Sequence, residues 1–127
     1  MKVLENLLYT EEHEWLKVEG NTAYFGITDY AQNMLGGIVY VELPDEDDEL
    51  EKGENFAVIE SVKAATDIIA PVDGTVLEAN EDLDDSPEKI NESPFEAWIV
   101  KIEISDASQL EGLMDAKAYE AFCAKEA

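Results

Sequence analysis

GIVYVELPDEDDELEKGENFAVIES, residues 37–61, is followed by GTVLEANEDLDDSPEKINESPFEAWIVKI, residues 74–102. Each stretch starts with a glycine-led, β-rich run, passes through an acidic loop and ends in a second β-rich run. Similar halves of this kind predict two sheets related by pseudo-symmetry, packed as a flattened barrel or sandwich. Between the halves lies ESVKAATD, residues 60–67. Strand-like NFAVIES and ATDIIAP flank Ser61 to Ala65, so Lys63 falls at the tip of a hairpin.

The rest of the chain fits around this core. EWLKVEG and TAYFGIT flank Gly20-Asn21, a pair suited to the positive φ of a type II′ turn, and predict an antiparallel hairpin over about 14–27. TDYAQNMLGG reads as a short helix capped by Thr28, with Ala31, Met34 and Leu35 on one apolar stripe and Gly36-Gly37 ending it. Pro71 to Gly74 supplies a turn before TVLEAN, and EDLDDSPEKINESP reads as polar loop with one helical turn. FEAWIVKIEI alternates as a half-buried strand. Ser105 and Asp106 open a short helix, and a last helix runs from about Asp115 with Tyr119 and Phe122 on one face. The expectation is a mainly β fold with an N-terminal hairpin and short C-terminal helices, one domain over residues 1–127.

Composition excludes several functions. The chain has 31 acids against eight basic residues, all of them lysine, for a formal charge of −23. Phosphate contact needs Lys and Arg, so nucleic acid and anionic membrane are poor partners, whereas basic protein surfaces are favoured. At 46% hydrophobic residues the 127-residue chain can bury a core without metal or disulfide. Its one cysteine, Cys123, offers no disulfide and no CxxC pair, and reads as a small apolar residue on the terminal helix. No secretory signal, transit peptide or transmembrane run is evident, which predicts a soluble intracellular protein.

The apparatus of catalysis is missing as well. His13 is the only histidine and lies far from any nucleophile signature. No DxDxDG calcium pattern, zinc ligand set or glycine-rich phosphate loop occurs. His13 and Trp15 read as packing and hydrogen-bonding residues, and pairs such as Asp47-Asp48 as a solvated acidic face. Lys63 remains. A turn lysine can simply keep a hairpin tip wet, but a tip also projects a side chain toward a modifying enzyme. An arm tethered there would meet separate active sites at high effective concentration.

ESVKAATD together with HEWLKVEG, GITDYAQ and VYVELP resembles the glycine cleavage system H protein family, a family of lipoyl carriers. The likeness runs from LLYTEEHEW to AYEAFCAKE, almost the whole chain. It implies the lipoyl/biotinyl-carrier hammerhead fold, with lipoate amide-linked to Lys63 and no catalytic residue. It implies a swinging arm that takes the aminomethyl group of glycine from glycine decarboxylase (P protein) to aminomethyltransferase (T protein). Dihydrolipoyl dehydrogenase (L protein) then reoxidises the arm, and a lipoate ligase or lipoyltransferase attaches it. Glu14 and Asp67 match family residues lining the cleft where the loaded arm rests; an ordinary strand and hairpin position is the alternative for each. Glu60 would assist recognition by the modifying enzyme, and Gly74 would act on modification only through the shape of the opposite hairpin. A monomer in glycine catabolism and one-carbon metabolism is implied, cytoplasmic in a bacterium or mitochondrial if a transit peptide had been removed. An H-like lipoate relay and an unmodified acidic scaffold are the rival readings. Three departures stand out: Asp47 replaces a usual glycine, SPFEAW is one residue short and lacks the glycine before Trp98, and the basic complement is unusually small.

Overall fold

The structure is a computed structural model and describes residues 2–126. Among the described residues nine strands form two antiparallel sheets that pack face to face. Strands β1 (Leu8–Tyr9), β2 (Glu14–Glu19) and β3 (Thr22–Ile27) precede helix α1 (Asp29–Leu35). Then come β4 (Ile38–Glu42), β5 (Glu49–Leu50), β6 (Asn55–Ser61), β7 (Ala65–Ile69) and β8 (Gly74–Ala79). Two one-turn helices, α2 (Asp82–Asp85) and α3 (Lys89–Glu92), lead to β9 (Val100–Ile104). A 3-10 helix (Ala107–Gly112) and α4 (Ala116–Glu126) close the chain. The sheet orders are β1-β2-β3-β9-β8-β5 and β4-β6-β7. The result is a sandwich, not a closed barrel, and among the described residues no helix is long and apolar enough to cross a membrane.

The two halves of the sequence each give a paired strand–loop–strand unit, β4 with β6 and β8 with β9. Each unit carries a bulge in its first strand, at Val39 and at Leu77 respectively. The extra residue turns a large apolar side chain to solvent, and both Val39 and Leu77 are exposed. The symmetry is masked because β3 pairs with the edge of β9 and so adds the N-terminal strands to one sheet.

Alternation in β3 explains the main core: Ala23, Phe25 and Ile27 point inward with Leu16, Val41, Ile59, Val76 and Ile102 from both sheets. Trp15, on the opposite face of β2, joins a second cluster with Tyr9, Tyr119 and Cys123 under α4. Its ring lies across Gly26, its cross-strand partner, where a Cβ would come within 2.8 Å of the indole. That close approach is why a glycine sits in mid-strand.

The expected hairpin over about 14–27 is present, with φ 64° at Gly20 as its turn needs. Thr28 caps α1 through Ala31 N–H, and Gly36 ends it at φ 78°, ψ −157°. Met34 departs from the expectation: it is 62% exposed, while Ala31 and Leu35 alone of that stripe pack on the core. Gly74 opens β8 instead of completing a turn, and FEAWIVKIEI pairs as strand only from Val100. Residues 82–92 hold two helical turns where one was expected, each pinned by one buried residue, Leu83 and Ile90. Asp47 keeps φ 69°, so the left-handed turn survives loss of the usual glycine, aspartate being one of the few residues that tolerates it. Both edges of the small sheet are tied by side chains: Ile38 N–H donates to Asn91 Oδ1 at 2.8 Å and Ile69 N–H to Glu14 Oε2 at 3.1 Å.

Candidate functional site

Lys63 occupies the β6–β7 turn, between Val62 and Ala64, and is exposed. Ser61 fixes that turn. Its hydroxyl accepts from Lys63 N–H (3.1 Å) and Ala64 N–H (3.2 Å), and its own N–H donates to the Ala64 carbonyl at 2.8 Å. Val62 N–H donates to the Gly37 carbonyl at 3.0 Å and docks the tip on the chain following α1. The lysine side chain lies over Gly36, with Nζ 3.4 Å from the Met34 carbonyl oxygen, and among the described residues makes no ion pair. The backbone is held while the ammonium is nearly free.

At the far end of β7 a cleft of about 340 Å³ opens between the β1–β2 turn, residues 52–53, residues 69–71 and residues 112–114. Glu14 lines it and is only 2% exposed. Thr10 Oγ1 donates to Glu14 Oε1 and Ile69 N–H to Oε2, each at 3.1 Å. Thr10 is itself committed to this geometry, because its hydroxyl oxygen accepts from the N–H groups of Glu12 and Glu14. Burial pushes the Glu14 carboxyl up to about 8, against the two donors, which favour the charged form; nearby Glu12 adds to the rise. At neutral pH burial therefore favours the protonated form of Glu14. Ile69, Pro71, Leu113 and Met114 give the cleft apolar walls, and Glu11, Glu12 and Lys52 line it as well.

His13 takes φ 62°, and this kink turns the chain from β1 into β2. Its Nδ1 lies 2.8 Å from the Tyr119 hydroxyl, which also meets Thr28 Oγ1 at 2.7 Å. Nε2 lies 2.9 Å from Glu126 Oε2, and the ring stacks on Tyr30. His13 thus packs and hydrogen-bonds, tying α4 to the hairpin, while Trp15 Nε1 donates to the Pro94 carbonyl at 3.0 Å. Burial raises the Cys123 thiol, in keeping with a packing role.

The remaining residues singled out from sequence lie apart. Asp67 is exposed on the outer face of the small sheet, accepts from Asn55 Nδ2 at 3.1 Å and does not line the cleft. Glu60 is exposed beside Ala65 and Tyr40. Gly74 is buried in the large sheet, where a Cβ would stand 2.5 Å from the Glu103 carbonyl oxygen. Sequence reasoning missed Thr10, the Ile69 N–H and the burial of Glu14. The sequence gives no periodic signal for them, since the kink at His13 breaks the strand pattern between Thr10 and Glu14.

Two packed antiparallel sheets with a hairpin-tip lysine, an N-terminal hairpin and short C-terminal helices place this fold in the lipoyl/biotinyl-carrier class. Comparison with known proteins narrows the class. The family model described as Glycine cleavage H-protein matches residues 7–126. A glycine cleavage system H protein of Alkaliphilus oremlandii is 58% identical over 127 residues, 100% of both chains. One from Staphylococcus saprophyticus is 59% identical over 120 residues, 94% of this chain and 95% of that one. The crystal structure of a glycine cleavage system H protein from Mycobacterium marinum superposes with a TM-score of 0.85 at 29% identity, covering 94% of this chain and 97% of that one. The chain belongs to the glycine cleavage H-protein family.

Proposed function

We propose that this chain is a non-catalytic carrier, a single domain acting in a bacterial cytoplasm, whose Lys63 holds lipoate as an amide. The observation that carries the reading is the lysine itself: a rigid turn built by Ser61, an exposed side chain and an amine held by one long contact. The residues present fit such a group. Lys63 supplies the attachment nitrogen, and Ile69, Pro71, Leu113 and Met114 offer apolar walls to a medium-chain acyl arm. From Ala65 to Ile69 is four residues of strand, about 13 Å, within the span of a lysine extended by such an arm. When bound, lipoate supplies a disulfide that takes up and releases the aminomethyl group of glycine and two reducing equivalents.

The protein's own part is to hold, screen and release. An aminomethyl amine is a cation near neutral pH. In the cleft such a cation would favour the ionised form of Glu14, whose proton would pass to solvent, and the carboxylate oxygens are already fixed by Thr10 and Ile69. Asp67, two positions before Ile69 on the same side of β7, guides the cation from tip to cleft. The apolar walls exclude water that would hydrolyse the carried group. Glu60 helps the modifying enzyme find the lysine, and Gly74 influences modification only through the shape of the large sheet. P, T and L proteins are the enzymes served.

Intact mass tests the reading. The purified chain incubated with lipoate, ATP and a lipoate ligase gains one lipoyl group, and Lys63→Arg gains none. With purified P, T and L proteins the modified chain supports glycine cleavage and the Lys63→Arg variant does not. A variant that still supports cleavage removes Lys63 from the role. Modified chain that transfers lipoate to another acceptor but never accepts an aminomethyl group is a relay, not this carrier.

A further inference from the structure

Among the described residues, five large apolar side chains are markedly exposed, and four of them lie on the segments next to the Lys63 turn: Met34 (62%), Val39 (56%), Tyr40 (48%) and Val62 (72%). Val62 is the neighbour of the lysine in the turn. Met34 lies in the last turn of α1, where its carbonyl meets Lys63 Nζ. Val39 and Tyr40 stand one strand over, since Ile38 pairs with Ser61 and Tyr40 with Glu60. Gly36 leaves the ground between them bare: a Cβ there would sit 3.5 Å from Lys63 Cε and 3.6 Å from Val62 Cγ2. Scattered apolar residues are ordinary on a surface, but four on the segments bordering one hairpin tip make a patch.

Apart from Lys63 itself, the charged residues in the outward rows of the small sheet are acidic. Across the small sheet the outward rows are Tyr40–Glu60–Ala65 and Glu42–Val58–Asp67. Its three strands contain no lysine. The complementary surface is apolar with a basic rim.

We infer that this patch seats the enzyme that acylates Lys63, which meets it with an apolar surface bordered by Lys or Arg. The inference rests on Lys63 being the modified residue. Reach selects this occupant over the enzymes that use the finished arm. To form the amide, the Lys63 ammonium must first lose a proton to solvent, and the Nζ lone pair must then attack the carbonyl carbon of a lipoyl acyl phosphate. The C–N bond forms, the activating phosphate leaves with its electron pair, and the amine's proton passes to solvent. The reacting carbon must come to bonding distance of Nζ, so the enzyme has to cover Met34 and Val62 and lift the amine from the Met34 carbonyl. An enzyme receiving a long arm can work from further out.

The test is steady-state lipoylation of the unmodified chain by a lipoate ligase with lipoate and ATP, followed by intact mass. Met34→Glu and Tyr40→Ala raise KM for the carrier about tenfold each with kcat little changed, the loss expected on removing a central anchor. Met34→Leu and Tyr40→Phe restore it, and added salt raises KM for the wild type. Leu77→Ser, which removes the exposed leucine of the other sheet, leaves both parameters unchanged. These side chains are exposed, so the variants keep the wild-type melting temperature, checked alongside. Unchanged KM in Met34→Glu and Tyr40→Ala, or an equal rise in Leu77→Ser, overturns the inference. So does normal lipoylation of both variants combined with slow loading by glycine decarboxylase, which would assign the patch to that enzyme. A wild-type chain that never gains the lipoyl mass overturns the carrier reading together with this one.

Discussion

Glu14→Gln isolates the effect of one buried carboxyl on folding. Below about pH 4.5 the group is neutral in the folded and unfolded chain alike, and it contributes no pH dependence. As pH rises from 4.5 to about 8, the unfolded carboxyl ionises while burial keeps the folded one protonated, so stability falls. Over that interval, at about 1.4 kcal/mol per pH unit, the loss reaches about 5 kcal/mol and then levels off. Glutamine does not titrate. Its NH₂ faces one of the two donors, Thr10 or Ile69, and loses that hydrogen bond at every pH, a constant penalty of about 1–3 kcal/mol. The variant is therefore less stable than wild type near about pH 5 and more stable near about pH 8.5, where the falling stability of the wild type has crossed it. Urea denaturation followed by tryptophan fluorescence, at matched ionic strength across this range, measures the difference. Subtracting one protein from the other removes the shared repulsion of the remaining acids. A stability difference that stays constant with pH, or that moves in favour of wild type as pH rises, refutes the argument.

Three further substitutions address the frame around the site. Gly36→Ala forces a side chain into a backbone region open essentially to glycine alone, and urea midpoints register a loss of about 1–3 kcal/mol. Gly74→Ala meets the Glu103 carbonyl and pushes β8 from β9, costing about 1–3 kcal/mol; an unchanged midpoint with slowed lipoylation would instead make Gly74 a recognition residue. Tyr119→Phe deletes the hydroxyl shared by His13 and Thr28 and costs about 1–3 kcal/mol, with faster amide exchange in α4.

What the sequence revealed followed from patterns longer than a few residues. The hairpin over 14–27 was legible because alternation on both sides of Gly20-Asn21 agreed with the turn chemistry. The small sheet was legible because NFAVIES and ATDIIAP bracket a turn too short to be anything else. β1 and β5 were not legible: two residues give no period, and β5 lies inside an acidic run whose composition argues for a loop. Met34 misled because helical spacing shows which residues share a stripe, not how much of that stripe the sheet covers. At the site, Lys63 stood out by chemistry, as one cation in apolar surroundings with no rival machinery. The state of Glu14 did not. Its burial depends on β7, 55 residues away in sequence, and its donor Thr10 lies across a kink whose positive φ at His13 no local pattern announces.

The ties at the two edges of the small sheet have a consequence for how the molecule behaves in a crowd. An edge strand with free N–H groups is a template on which another chain can add a strand, and exposed apolar residues such as Val39 and Tyr40 would strengthen such pairing. Here an N–H on each edge is already engaged, at Ile38 by an amide oxygen and at Ile69 by a carboxyl oxygen. Asp67 sets a charge in the middle of one edge strand, and the Val39 bulge breaks the regularity of the other. A second copy approaching either edge meets a blocked hydrogen bond and a charge of its own sign. The sheet that presents the lysine thus has its bare face between two borders that are each tied back to the rest of the chain.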